Sequence, residues 1–185
     1  MNKNKEDLIE AAGRLILQSE INSLSIEELE MRLGLTHEEL SMHFSRDNDI
    51  LLTLVISLET SILQLIDNMA NISLTPDEAL QTLFKDLYRL FEQKPIFLSV
   101  IFDKHLEERN SEILVTIKRT KKSVESFLLQ IINKGKNENI FQAELKSRYL
   151  VNRILVSFRQ HMNEKWVTES FLKNIEHLKS SSSED

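Results

Sequence analysis

Apolar residues recur at helical spacing along almost the whole chain. Leu8, Ile9, Ala12, Leu15 and Ile16 form one stripe and predict a first helix over 4–18. A short second helix fits 26–33. Ser25 opens it with Glu28 three residues on, the pattern of a capping box, and Gly34 suits the left-handed residue that ends it. Thr36 and Glu39 repeat the box at the start of a third short helix. Ser45 is placed as the cap of a long fourth helix over 46–71, striped by Leu51, Val55, Leu58, Ile62, Leu65 and Met69. At 73–80 Thr75 caps, Pro76 takes the first helical position, and Asp77 and Glu78 favour the positive end of the helix dipole. That helix runs to about Gln93. Further helices are expected over 96–109, behind Pro95, and over 111–134, with Gly135 as its stop. The last two fit 144–164 and 168–179, and the polar tail 181–185 reads as disordered.

The pattern therefore predicts an all-α chain of about nine helices. Composition agrees: three Gly and two Pro in 185 residues are too few for strands joined by tight turns. With 41% hydrophobic and 28% charged residues the chain has material for a core and its cover. The absence of Cys excludes disulfides and cysteine metal sites. No apolar signal core opens the chain, and the run "ILLTLVISL" at 50–58 is far short of the ~20 residues needed to cross a bilayer. A cytoplasmic protein with no membrane role is the expectation.

Three short helices followed by a long one, and several residues within them, resemble the TetR family of bacterial transcriptional regulators over about residues 5–56. "LIEAAGRLI" is similar to the first helix of that family, and "LSIEELEMRLGLT" to its second helix and turn. Leu40, His43 and Phe44 match the Leu and His-Phe of its "LYxHF" signature, followed by the aliphatics Ile50 and Leu51. "PDEAL" and "NKGKNENIF" echo later parts of the family. The resemblance implies a helix-turn-helix module over 1–50 and a helical ligand-binding and dimerisation domain over 51–180. It implies a homodimer on operator DNA, two recognition helices about one DNA turn apart, and a small-molecule inducer. It places Ser25, Thr36, His37, Ser41, His43 and Arg46 at DNA-facing positions.

The buried positions of the module match the family, and the exposed ones depart from it. Where the family commonly reads Ser-Lys-Gly-Thr-Leu-Tyr, this chain has Thr36-His37-Glu38-Glu39-Leu40-Ser41. Asp47 stands where a lysine usually opens the fourth helix, and Glu30 and Glu20 replace a small alanine and a glycine. Residues 1–56 hold five Lys and Arg against eleven Asp and Glu, so this segment carries the whole net charge of −6. Phosphate neutralisation by Lys and Arg supplies nearly all non-specific DNA affinity. The reading is thus a ligand-responsive TetR-like regulator, expected to be a repressor, whose DNA binding is weakened by an acidic module. The alternative is a TetR-fold protein that acts through protein contacts. Glu38 and Asp47 have no local partner legible in the sequence, whereas Glu39 has Thr36.

The remaining candidates carry less. The five His are scattered, and the nearest approach to a metal pair is His105 with Glu108, so no metal site, cofactor or catalytic constellation is expected. Phe84, Tyr88, Phe91, Phe102 and Phe127 fall where the family keeps its cavity; core packing accounts for them, and a pocket for a small apolar ligand is the alternative. Leu150, Ile154, Phe158 and Met162, with Phe171 and Ile175, stripe the last two helices. In the family these helices pair with their symmetry mates, and the stripe is assigned to the dimer interface.

Overall fold

The computed structural model describes residues 5–18, 24–103, 105–163, 178 and 179. Among them lie nine helices: α1 (Lys5–Gln18), α2 (Ile26–Leu33), α3 (His37–Ser41), α4 (Asp47–Ala70), α5 (Pro76–Gln93), α6 (Ile96–Phe102), α7 (Leu106–Arg109), α8 (Ser111–Asn137) and α9 (Ser147–Asn163). The only β pairing among the described residues is an isolated antiparallel bridge from Phe141 to Lys179. The expected helix over 168–179, with Phe171 and Ile175, lies almost wholly outside the described residues, as does the tail.

Two expected elements differ, each for a local reason. The helix expected over 96–109 breaks into α6 and α7. Asp103 leaves helical geometry at φ −75°, ψ 117°, and its Oδ1 accepts the His105 N–H at 2.7 Å. A short aspartate side chain can satisfy the backbone locally in this way and so competes with the helix. Gly135 does not stop α8, which continues to Asn137. The left-handed residue is Asn139, at φ 59°, a conformation Asn tolerates better than most side chains. Gly135 is instead buried beneath Phe141: a Cβ there would run into the Phe141 ring at Cδ2 and Cε2.

Compact packing divides the chain into one unit of residues 1–61 and 91–120 and another of 62–90 and 121–185, and the division passes through α4, α5 and α8. In the first, Leu8, Ala12, Leu29, Leu40, Phe44, Ile50, Leu51 and Leu54 are buried together with Phe97, Val100 and Leu106. At Gly13 of α1 a Cβ would stand 3.3 Å from Ile96, so the glycine lets α1 lie close on α6. Glu59 of α4 is buried, 6% exposed, and its two carboxylate oxygens accept Nε and Nη2 of Arg119 at 2.5 Å each. This bidentate pair links α4 to α8 and answers a charge that would be costly to bury alone. By length and composition α4 is long and apolar enough to cross a membrane, which the short run at 50–58 did not suggest. Its stripe of Leu51, Leu54, Val55, Leu58 and Ile62 is buried within the protein.

In the second unit, Leu80, Leu83, Phe84, Leu87, Leu128, Ile132 and Phe141 are buried with Leu150, Val151, Ile154 and Phe158 of α9. The rings of Phe84 and Phe158 are 5.0 Å apart at a tilt of 50°, within the range of a favourable aromatic pair. At the start of α5, Thr75 and Glu78 close the first turn, and Lys179 Nζ meets Asp77 Oδ2 at 2.8 Å, which holds the Asp77 carboxyl below its ordinary range.

The collision at Gly135 sets the first test. Gly135→Ala is expected to lower unfolding free energy by about 1–3 kcal/mol, because the added methyl must displace Phe141 or the backbone carrying it. Urea denaturation followed by circular dichroism measures it. A change within ~0.5 kcal/mol, the range of an ordinary surface substitution, would mean that Phe141 does not occupy that space.

Candidate nucleic-acid interface

The frame of the helix-turn-helix forms as the sequence leads one to expect. Ser25 Oγ accepts the Glu28 N–H at 3.1 Å, Gly34 ends α2 in the left-handed region at φ 62°, and Thr36 and Glu39 close a reciprocal capping box on α3. The Thr36 backbone N–H, with its hydroxyl second, holds the Glu39 carboxyl below its ordinary range. The capping role of Glu39 is therefore seen directly.

Asp47 has a role that its sequence position does not announce. Its Oδ1 accepts the Ile26 N–H at 2.8 Å, so the first residue of α4 satisfies the first turn of α2, 21 positions earlier. Its partner is not local: Asp47 is a cap supplied from another helix. Two more acids are drawn into the frame. Glu30 Oε1 meets His37 Nδ1 at 2.7 Å across the turn. Asp49 Oδ2 accepts the N–H groups of Ser45 and Arg46, so the turn before α4 is closed by Asp49 from inside the helix.

The arginines of the module are paired as well. Arg14 meets Glu10 at 2.9 Å, Arg32 meets Glu28 at 2.9 Å and Arg46 meets Asp49 at 3.2 Å. Exposed pairs of this kind contribute little to stability, but each places a carboxylate beside a charge that would otherwise attract phosphate. Among the positions the resemblance assigns to DNA, Thr36, His37, Ser41 and Arg46 are exposed, and Ser25 and His43 are half-buried. Ser41 Oγ donates to the Glu38 carbonyl at 3.0 Å, and the His43 ring lies 6.4 Å from Phe44. The outward surface of the module is completed by Glu27 and Glu38 and by two methionines, Met31 at 72% and Met42 at 64% exposure.

The residues expected to border a ligand pocket are shared between the two compact units. Phe84, Tyr88 and Phe127 belong to one compact unit, Phe91 and Phe102 to the other. Phe84 and Phe91 are buried, and Tyr88, Phe102 and Phe127 half-buried. A cleft of about 580 Å³ opens beside α1, lined by Glu6, Ile9, Glu10, Gly13, Arg14, Leu17, Leu54, Ser57 and residues 93–97. None of the five aromatics lines it. Of the interface stripe, Leu150, Ile154 and Phe158 are buried inside the protomer, Met162 is half-buried, and Tyr149 and Val156 of the same helix are 53% and 58% exposed. Among the described residues no cluster of three or more His, Cys, Asp or Glu has metal-binding proximity.

No protein-family model matches the chain, and no curated protein matches it. Solved structures do. The ketosteroid transcriptional regulator KstR2 of Mycobacterium tuberculosis is similar with a TM-score of 0.84 at 14% identity, over 98% of this chain and 97% of that one. The MbdR regulator of Azoarcus sp. CIB gives 0.78 at 20% identity, over 92% and 94%. The fatty acid degradation regulator FadR of Bacillus halodurans gives 0.70 at 17% identity, over 95% and 97%.

The inter-helix cap sets the second test. Asp47→Ala is expected to lower stability by about 1 kcal/mol, the ordinary worth of a helix cap, with amide exchange at Ile26 accelerated. Unchanged exchange at Ile26 would show that Asp47 does not cap α2. From first helix to last, the chain has the fold of the TetR-family transcriptional regulators.

Proposed function

We propose that the protein is a TetR-like transcriptional regulator of the cytoplasm, with residues 1–50 as its head and 51–180 as its dimerising and ligand-responsive body. The fold supports the regulator reading. Within it, one observation supports a weakened head: each described arginine of the module is paired with a carboxylate of its own helix or turn, while Glu27 and Glu38 stand outward. A surface so arranged offers little net charge to phosphate, and phosphate contacts carry the bulk of non-specific affinity. DNA binding by this head is therefore weak. A second reading has its own support. Met31 and Met42 of the module are highly exposed, and methionine is an adaptable contact residue enriched at protein interfaces. In that reading the TetR-like scaffold acts through protein contacts.

Fluorescence anisotropy with a generic duplex at ~50 mM salt separates the two. Wild-type protein is expected to bind weakly or undetectably. Glu27→Lys with Glu38→Lys is expected to raise affinity roughly tenfold and to steepen the dependence on salt. Both residues are exposed, so folding should be unaffected. Asp47 is left intact because of its structural role. Tight wild-type binding at that salt would overturn the reading of a weakened head.

The homodimer is proposed through α9, by the face that the protomer leaves outward. Tyr149 and Val156 lie on it, whereas Leu150, Ile154 and Phe158 pack inward. An isologous contact sets this face against its symmetry mate. Val156→Asp is expected to shift the protein from dimer to folded monomer in light scattering. Phe158→Asp should instead unfold the protomer. A Val156→Asp protein that stays dimeric would exclude this face.

A further inference from the structure

We infer that the cleft beside α1 binds a small amphiphile bearing one carboxylate, its head at Lys94 and its apolar part on Ile9 and Leu17. The inference goes beyond the regulator reading and does not depend on whether the head touches DNA. The cleft lies wholly within one compact unit and its volume, about 580 Å³, is in the range of small-molecule sites. Its floor is apolar: Gly13, Leu54, Ile96 and Phe97 are buried and close it, and half-buried Ile9 supplies apolar surface above them. Leu17, at 49% exposure, offers a further apolar surface at the edge. A pocket with an apolar floor and few polar groups at its mouth selects a molecule with the same division.

The sign of the head group follows from the charges at the mouth. Four line it: Glu6, Glu10, Arg14 and Lys94. Glu10 and Arg14 answer each other at 2.9 Å. Glu6, exposed in the first turn of α1, has no partner of opposite charge among the described residues, and no contact sets it over the floor. Lys94 is different. Its ammonium sits 5.2 Å from the centroid of the Phe97 ring, directly over the floor, and has no carboxylate partner among the described residues. An anionic head placed there pairs with Lys94 while its chain lies along Ile9 and Leu17. A cationic head would be repelled from the one charge fixed over the floor.

The test compares three heads on one tail. The full-length protein is titrated calorimetrically with decanoate, decanol and decyltrimethylammonium, each below its micelle-forming concentration. Decanoate is expected to bind at least tenfold more tightly than either of the others, and Lys94→Glu to remove that preference. A diazirine-tagged decanoate locates the site, with label expected in residues 5–18 or 93–97. Ser57→Trp, which fills the cleft, and Leu17→Glu, which charges its edge, should each abolish binding. Circular dichroism checks their folding, and Leu17→Glu decides the matter if Ser57→Trp does not fold. The proposal is overturned if no probe binds, if the cation or the alcohol binds as well as decanoate, or if Leu17→Glu leaves binding intact. Label confined to other segments would overturn it as well.

Discussion

One hydrogen bond ties the helix-turn-helix to the rest of the chain. The Asp47 carboxylate takes the N–H of Ile26, so the start of the long helix α4 closes the start of the short helix α2. Neither α2, at eight residues, nor α3, at five, is long enough to be stable alone. They are held by their buried faces, Leu29, Leu40 and Phe44, and by caps that satisfy their ends. Asp47 supplies one of those caps from outside the pair and so fixes where α4 begins relative to them. Glu30 with His37, and Glu39 with Thr36, complete the set. Much of the acidity that stands out in the composition is thus employed in building the module, and Glu6, Asp7, Glu27 and Glu38 are exposed on its surface.

The parts legible in the sequence are those governed by short-range rules. Helix periodicity, the Ser25 and Thr36 caps, the Glu78 carboxylate that takes the Thr75 N–H and the left-handed Gly34 all depend on residues within four positions of one another, and each is present. What is not legible depends on distance in sequence. The Asp47 cap spans 21 residues and the Glu59–Arg119 pair 60, and no local pattern marks either. Gly135 misleads because a glycine near a helix end has two uses: freedom of φ and absence of a Cβ. The second applies, and Phe141, which requires it, is six residues away. The apolar stripe of α9 is buried at Leu150, Ile154 and Phe158. Periodicity gives a buried face, however, without saying whether its partner is the same chain or another copy, and Phe84 is the partner of Phe158.

The pair of Glu59 and Arg119 shows the same separation, a buried carboxylate met by an exposed guanidinium. Its geometry is bidentate, and Arg119 is held protonated by its hydrogen bonds to Glu59 and by that charge. Thr116 and Thr120 flank it on α8, both buried, each donating its hydroxyl to a carbonyl one turn earlier. Polar groups within an apolar helix face are tolerated because each has a partner. A pair with fixed geometry also sets the register of two long helices more narrowly than sliding apolar contacts do.

In the module, the residues that hold the frame and those that form the face are different residues. Leu29, Gly34, Thr36, Leu40, Phe44 and Asp47 carry the fold, while Glu27, Met31, Glu38 and Met42 project from it. Substitution at the projecting positions costs folding little. The surface of such a head is therefore free to drift, or to be remade for another partner, in single steps that never pass through an unfolded protein. That independence gives one physical route by which chains with 14% of their residues in common keep a backbone that superposes from end to end. It also makes the head a place where one substitution changes what the protein touches before it changes what the protein is.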